Sequence, residues 1–123
     1  MSLKILVVDD EPDTLGLIDL TLQTAGFDVD TALSAELALQ LFRQETYDLL
    51  LLDVMMPGTS GFDLVRTMQT DPGIVPPVIF LTAKNQPEDR AEGERLGSIN
   101  FLIKPTTRGQ LLDAIRAALD ISA

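Results

Sequence analysis

Four separated places in the chain carry residues able to do chemistry, and each directly follows a short apolar run. Asp9, Asp10 and Glu11 follow Ile5–Val8, and Asp53 follows Leu49–Leu52, with Val54-Met55-Met56-Pro57 and Gly61 beyond it. Thr82 and Ala83 follow Val78–Leu81, and Lys104-Pro105 follows Phe101–Ile103. The 123 residues include no histidine and no cysteine, which excludes imidazole and thiolate chemistry as well as disulfides. What remains is the chemistry of carboxylates, hydroxyls, amines and the backbone.

Gathered at one rim, these residues would create an electrostatic problem. Two carboxylates about 4 Å apart repel by roughly 4 kcal/mol at an effective dielectric near 20. A third worsens the site unless a proton is retained or a cation enters. With oxygen ligands only, the natural entrant is a hard cation. Few carboxylates plus water suit Mg²⁺, whereas Ca²⁺ wants a denser cage of oxygens. Lys104 would balance the carboxylates at rest and pair with a phosphoryl oxygen afterwards. Thr82 and the Ala83 N–H would donate to another such oxygen. Asp53, alone at its strand end, is the candidate nucleophile, able to form an aspartyl phosphate by in-line transfer. Taken singly, each residue has an ordinary role: Asp as a cap or turn residue, Thr as structure, Lys as a solvated charge, Lys-Pro as a turn. Four strand ends each supplying what one site needs is what points to a site.

The elements that must position these groups are legible from the pattern. Ile5–Val8, Leu49–Leu52 and Val78–Leu81 are nearly continuous apolar runs, as expected for strands covered on both faces. Phe27–Thr31 alternates, as expected nearer an edge, and Phe101–Ile103 is the fifth run. Helical spacing follows each. Pro12 opens a helix with Leu15, Ile18 and Leu22 inward and Gly26 at its end. Ser34 caps a second carrying Ala38, Leu41 and Phe42. Ser60 or Gly61 opens a third with Leu64, Val65 and Met68 inward, closed by Asp71-Pro72-Gly73. Pro87 opens a fourth that ends near Gly97, its thin buried face made of Ala91 and Leu96. Thr107 and Gln110 form a capping box on the last, which buries Leu111, Leu112, Ile115 and Leu119. Five strand–helix units predict one α/β domain over residues 1–123. Its fold is flavodoxin-like, a doubly wound (βα)5 sandwich around a parallel five-stranded sheet of order 2-1-3-4-5. Ligands of such sheets bind beyond the carboxyl ends of the strands, where the four places lie.

Composition bounds the partners. Hydrophobic residues make up 46% of the chain, enough for a packed core. The net charge of −10 argues against direct contact with nucleic acid or anionic membrane and suits a cation or a basic protein. No run is long enough to span a bilayer, and Asp9 and Asp10 interrupt the first apolar run where a signal peptide would continue. The expected location is cytoplasmic.

At these residues the chain resembles the receiver domain of bacterial two-component response regulators. The resemblance rests on Val7-Val8-Asp9-Asp10-Glu11, Asp53-Val54-Met55-Met56-Pro57 with Gly61, Leu81-Thr82-Ala83, and Gly97 leading to Phe101-Leu102-Ile103-Lys104-Pro105. It runs over essentially the whole chain in order and spacing. It implies a regulatory domain rather than an enzyme, catalysing only its own phosphoryl transfer and dephosphorylation. Asp53 would be phosphorylated by a histidine kinase, a histidine phosphotransfer protein or a small acyl phosphate. Mg²⁺ would sit on the Asp10 and Asp53 carboxylates and the Met55 carbonyl, with Asp9 close by, partly through water. Thr82 and Lys104 would contact the phosphoryl group, and Lys104-Pro105 would be a cis peptide. Phe101 would be the switch aromatic, moving inward as Thr82 shifts, so that the face of helix four, strand five and helix five changes its affinity for partners. A downstream protein, an effector domain or a phosphorylation-dependent homodimer would read that face. Because the chain ends soon after the fifth helix, the expectation is a receiver without an effector domain, standing alone or cut from a longer regulator.

Departures from the family pattern fall on the output side. Phe101 lacks the common tyrosine hydroxyl, Thr106 replaces the usual Phe after Lys-Pro, Ile99-Asn100 replaces a commonly acidic pair, and Thr59 is polar where an apolar residue is frequent. Met55 and Lys84, each two residues beyond a site residue, occupy positions that tune phosphate lifetime. Three competing readings are a flavodoxin-like FMN domain, an Asp-nucleophile phosphatase and a receiver-like module that never sees phosphate. The first needs a phosphate-cradling loop where this chain has Asp-Asp-Glu. The second needs an Asp-x-Asp loop at the site, and neither Asp9-Asp10-Glu11 nor Asp53-Val54-Met55 supplies one. The intact acidic set argues against the third.

Overall fold

The computed structural model describes residues 2–70, 74–83, 86–98 and 100–119. The elements alternate along the chain: β1 (Lys4–Val8), α1 (Pro12–Thr24), β2 (Asp28–Ala32), α2 (Ala35–Gln44), β3 (Leu49–Asp53), α3 (Gly61–Thr70), β4 (Val78–Thr82), α4 (Pro87–Arg95), β5 (Asn100–Ile103) and α5 (Arg108–Ala118). All strand pairs are parallel and the sheet order is β2-β1-β3-β4-β5, the flavodoxin-like order expected from the sequence. β3 and β4 are buried along their whole length. β2, at the edge, is mostly half-exposed, in keeping with its alternating sequence.

Side chains alternate across each strand, so neighbours in sequence serve opposite layers. Ile5, Val7, Leu49, Leu51, Ile79 and Leu81 meet Leu15, Ile18 and Leu22 of α1 and Leu111, Leu112 and Ile115 of α5. Leu6, Val8, Leu50, Leu52 and Phe80 meet Ala35 and Ala38 of α2 and Leu64, Val65 and Met68 of α3.

Local signals act as expected at the helix starts. Ser34 Oγ accepts from the Leu37 N–H at 3.2 Å, and Ser60 Oγ from the Asp63 N–H at 3.1 Å. Thr107 and Gln110 exchange both bonds of a capping box. The expected stop at Asp71-Pro72-Gly73 lies outside the described residues, as do Lys84 and Ile99. One expectation fails: Ala91 is exposed, and the buried residue of α4 is Gly93. The inward line of α4 runs through positions 89, 93 and 96, one helical step apart, which turns Ala91 to solvent.

Register sets the functional rim. Val8 lies beside Leu52, Asp53 beside Leu81 and Thr82 beside Ile103. The residues at or just past these strand ends are Asp9, Asp53, Thr82 and Lys104, from four different strands.

Candidate phosphoacceptor and metal site

Asp9 and Thr82 are fully buried and Asp53 is 3% exposed; they are the buried polar residues among those described. Each is fixed by local backbone. The Asp9 N–H donates to the Ala32 carbonyl, and Asp9 Oδ1 accepts from the Glu11 N–H at 3.0 Å, closing a tight turn that carries Asp10. Asp53 Oδ1 accepts from the Met55 N–H at 3.3 Å. The Gly61 N–H donates to the Val54 carbonyl at 2.9 Å and folds the loop after β3 back onto Asp53. The Lys104 N–H donates to the Thr82 carbonyl at 2.8 Å, tying β5 to β4 at the rim, and the Lys104-Pro105 peptide is cis.

Carboxylate oxygens of Asp9, Asp10 and Asp53 lie within 4.8 Å of one another. Lys104 Nζ donates to Asp9 Oδ2 at 2.7 Å and stands 3.2 Å from Asp53 Oδ2. Burial pushes the Asp53 carboxyl up to about 6; Lys104 opposes the rise and Asp9 adds to it. Burial works against the Lys104 ammonium too, yet its bonds to Asp9 and Asp53 outweigh that and raise its pKa above the ordinary lysine value. Among the described residues one ammonium faces three carboxylates at the rim, and an all-oxygen, half-buried set of this kind fits a hard divalent cation.

The structure thus brings together Asp9, Asp10, Asp53 and Lys104, with Thr82 in register beside them and Met55 hydrogen-bonded to Asp53. Ala83 is exposed at the same rim. Phe101 is 8% exposed and sits inside, against Phe80 and Phe62. Sequence reasoning did not anticipate how closely Gly61 packs: a Cβ there would stand 2.3 Å from the Asp53 carbonyl oxygen. A glycine at the first turn of a helix following an acidic strand end is the signal that could have raised it. Beside the site, an open groove of about 690 Å³ runs between Met55, Met56, Pro57 and Phe62 on one wall and Gln86 and Asp89 on the other.

Comparison with known proteins gives a consistent result. A family model described as the response regulator receiver domain matches residues 5–116. The DNA-binding response regulator MtrA of Mycolicibacterium smegmatis is 35% identical over 119 residues, 97% of this chain and 51% of that protein. The transcriptional regulatory protein DltR of Streptococcus agalactiae is 36% identical over 114 residues, 93% of this chain and 50% of that protein. The chain therefore spans about half the length of these curated relatives. Among solved structures, the chemotaxis protein CheY4 of Vibrio cholerae superposes with a TM-score of 0.89 at 32% identity, covering 96% of this chain and 99% of that one. No described helix is long and apolar enough to cross a membrane. By sequence, by fold and by the acidic cluster at its strand ends, the chain belongs to the response regulator receiver domains.

Proposed function

We propose that the protein is a phosphoacceptor switch in which Asp53 takes a phosphoryl group from a histidine kinase, a histidine phosphotransfer protein or a small acyl phosphate. The observation that carries this reading is the Lys104 ammonium set between Asp9 and Asp53, with Asp10 within the same carboxylate cluster. A carboxylate oxygen of Asp53 bonds to phosphorus in line with the departing imidazole nitrogen or acyl oxygen. The old P–N or P–O bond breaks, and its electron pair leaves with the donor. Attack by water on phosphorus later restores the carboxylate and releases inorganic phosphate.

The chain's own groups align and neutralise this transfer. Met55 N–H holds one Asp53 oxygen in place. Lys104 pairs with a phosphoryl oxygen, while Thr82 and the Ala83 N–H serve another. Asp10, Asp53 and the Met55 carbonyl, with Asp9 beside them, are the residues to hold Mg²⁺. When bound, Mg²⁺ supplies the positive charge that phosphoryl oxygens need beside carboxylates. Phosphorylation then biases two pre-existing arrangements of the α4–β5–α5 face, which a downstream partner or effector domain reads.

The test is intact mass after treatment with acetyl phosphate and Mg²⁺. One Mg²⁺-dependent phosphate adduct is expected on the wild type and none on Asp53→Asn. Equal adduct on both proteins would remove Asp53 from the role.

A further inference from the structure

Helix α4 carries no apolar stripe; its sequence is PEDRAEGER, and Gly93 is its buried residue. What it rests on is the ring of Phe101, from the adjacent strand β5. A Cβ built on Gly93 would stand 2.2 Å from Cε2 and 2.9 Å from Cζ of that ring, and 3.1 Å from Ser98 Oγ. The ring therefore fills the volume that any side chain at position 93 would need. Its centroid lies 5.5 Å from that of Phe80 and 6.3 Å from that of Phe62. The Arg90 guanidinium carbon lies 5.8 Å from the ring centroid. Phenylalanine has no hydroxyl to satisfy, so nothing polar is stranded while the ring stays there.

We infer that Gly93 is a socket holding Phe101 inward whether or not Asp53 carries phosphate, so that the α4–β5–α5 face changes by α4 shifting over a fixed ring. Beside the ring, Leu96 at the end of α4 packs against the core, and lateral polar ties join α4 to α3: Arg66 pairs with Glu92, and Gln69 Nε2 donates to the Leu96 carbonyl at 3.0 Å. Such surface ties exchange readily for water, whereas withdrawing a packed ring opens a void. The outer surface beside β5 carries a separate hollow of about 170 Å³, lined by Asn100, Ala114, Ala117 and Ala118. The socket stands without phosphate; only its persistence on phosphorylation rests on the reading of Asp53 given above.

Fluorine NMR of protein carrying fluorophenylalanine tests this, with the Phe101 resonance assigned by its loss in Phe101→Ala. A soluble paramagnetic quencher is added with and without acetyl phosphate and Mg²⁺, and intact mass reports the adduct. In both states the Phe101 signal is expected to be quenched no more than about twice as strongly as that of fully buried Phe80. In Gly93→Ala it is expected to become several-fold more accessible. A wild-type ring whose accessibility differs between the two states overturns the socket, as does a ring that stays protected in Gly93→Ala. Absence of any adduct refutes the reading of Asp53 instead, and the unphosphorylated comparison then decides the socket. Should Gly93→Ala not fold, the same change is made in the Phe101→Ala background. Folding is expected there because the clash is gone, and failure to fold would refute the socket.

Discussion

Lys104 reaches from the end of β5 to donate a 2.7 Å hydrogen bond to Asp9 at the end of β1, across the two strands that lie between them. Asp9 is fully buried and the Lys104 side chain 18% exposed, so this pair spans the rim largely out of water. Removing one member of such a pair leaves a charge stranded, and that loss exceeds what the pair contributed by forming. Lys104→Met is accordingly expected to lower stability by about 3 kcal/mol in urea unfolding with a chelator present. Mg²⁺ should restore more stability to this variant than to the wild type, because the cation replaces the missing charge. A variant as stable as the wild type would show that the fold does not depend on the Lys104–Asp9 pair.

The pH dependence follows from Asp53. Its carboxyl titrates at about 6 in the fold against an ordinary value of 3.8, so between these the folded chain binds more protons than the unfolded one. A raised carboxylate pKa makes stability fall as pH rises through that window, with the full cost, about 3 kcal/mol, present above it. Asp53→Asn removes this titration. Without divalent ions the variant should be more stable than the wild type at pH 7 and equal to it near pH 4. A difference that did not shrink on acidification would assign the effect to something other than the Asp53 charge.

How much of this was legible in the sequence differs by element. β1, β3 and β4 announce themselves because both faces are covered and almost every position is apolar. Ser34 and Thr107 are readable because a cap acts within four residues. Asp53 and Lys104 were readable as strand-end residues, and the parallel register then brings them to one rim. The seat of α4 was readable only in part: Leu96 packs against the core as expected, while Ala91 does not and Gly93 was missed. Its contact is made by Phe101, which arrives from another element, and a helix so polar has no stripe from which to infer its inward side. The tie of Tyr47 to edge strand β2, a 2.7 Å hydrogen bond from its hydroxyl to Asp30, is long-range for the same reason.

Thr106 offers a test of a local misfit. It stands where the receiver pattern usually has an aromatic ring, and its Oγ1 is buried with no hydrogen-bond partner among the described residues. A buried hydroxyl left without a partner costs about 1–3 kcal/mol relative to an apolar group of the same shape. Thr106→Val keeps the branched shape and removes the hydroxyl, so it should raise stability by about 1 kcal/mol in urea or thermal unfolding. Destabilisation by the valine would mean the hydroxyl is satisfied in solution.

The same substitution at two glycines should act with opposite sign. Gly16 lies on the exposed side of α1, where an added methyl group would meet nothing within 4 Å. Gly16→Ala should therefore stabilise by about 0.5–1 kcal/mol through reduced freedom of the unfolded chain. Gly61 opens α3 against the end of β3, where a Cβ would meet the Asp53 carbonyl oxygen at 2.3 Å and the Val54 Cα at 3.2 Å. Backbone cannot swing aside as a side chain does, so Gly61→Ala must push α3 away from β3, at a cost of about 1–3 kcal/mol. The displaced loop carries Met55, whose N–H fixes Asp53, so Mg²⁺ affinity and the rate of adduct formation should fall together with stability. Calorimetric titration with Mg²⁺ at a temperature where the variant remains folded separates the two effects. Unchanged affinity there would mean the loop absorbs the methyl group without moving Asp53.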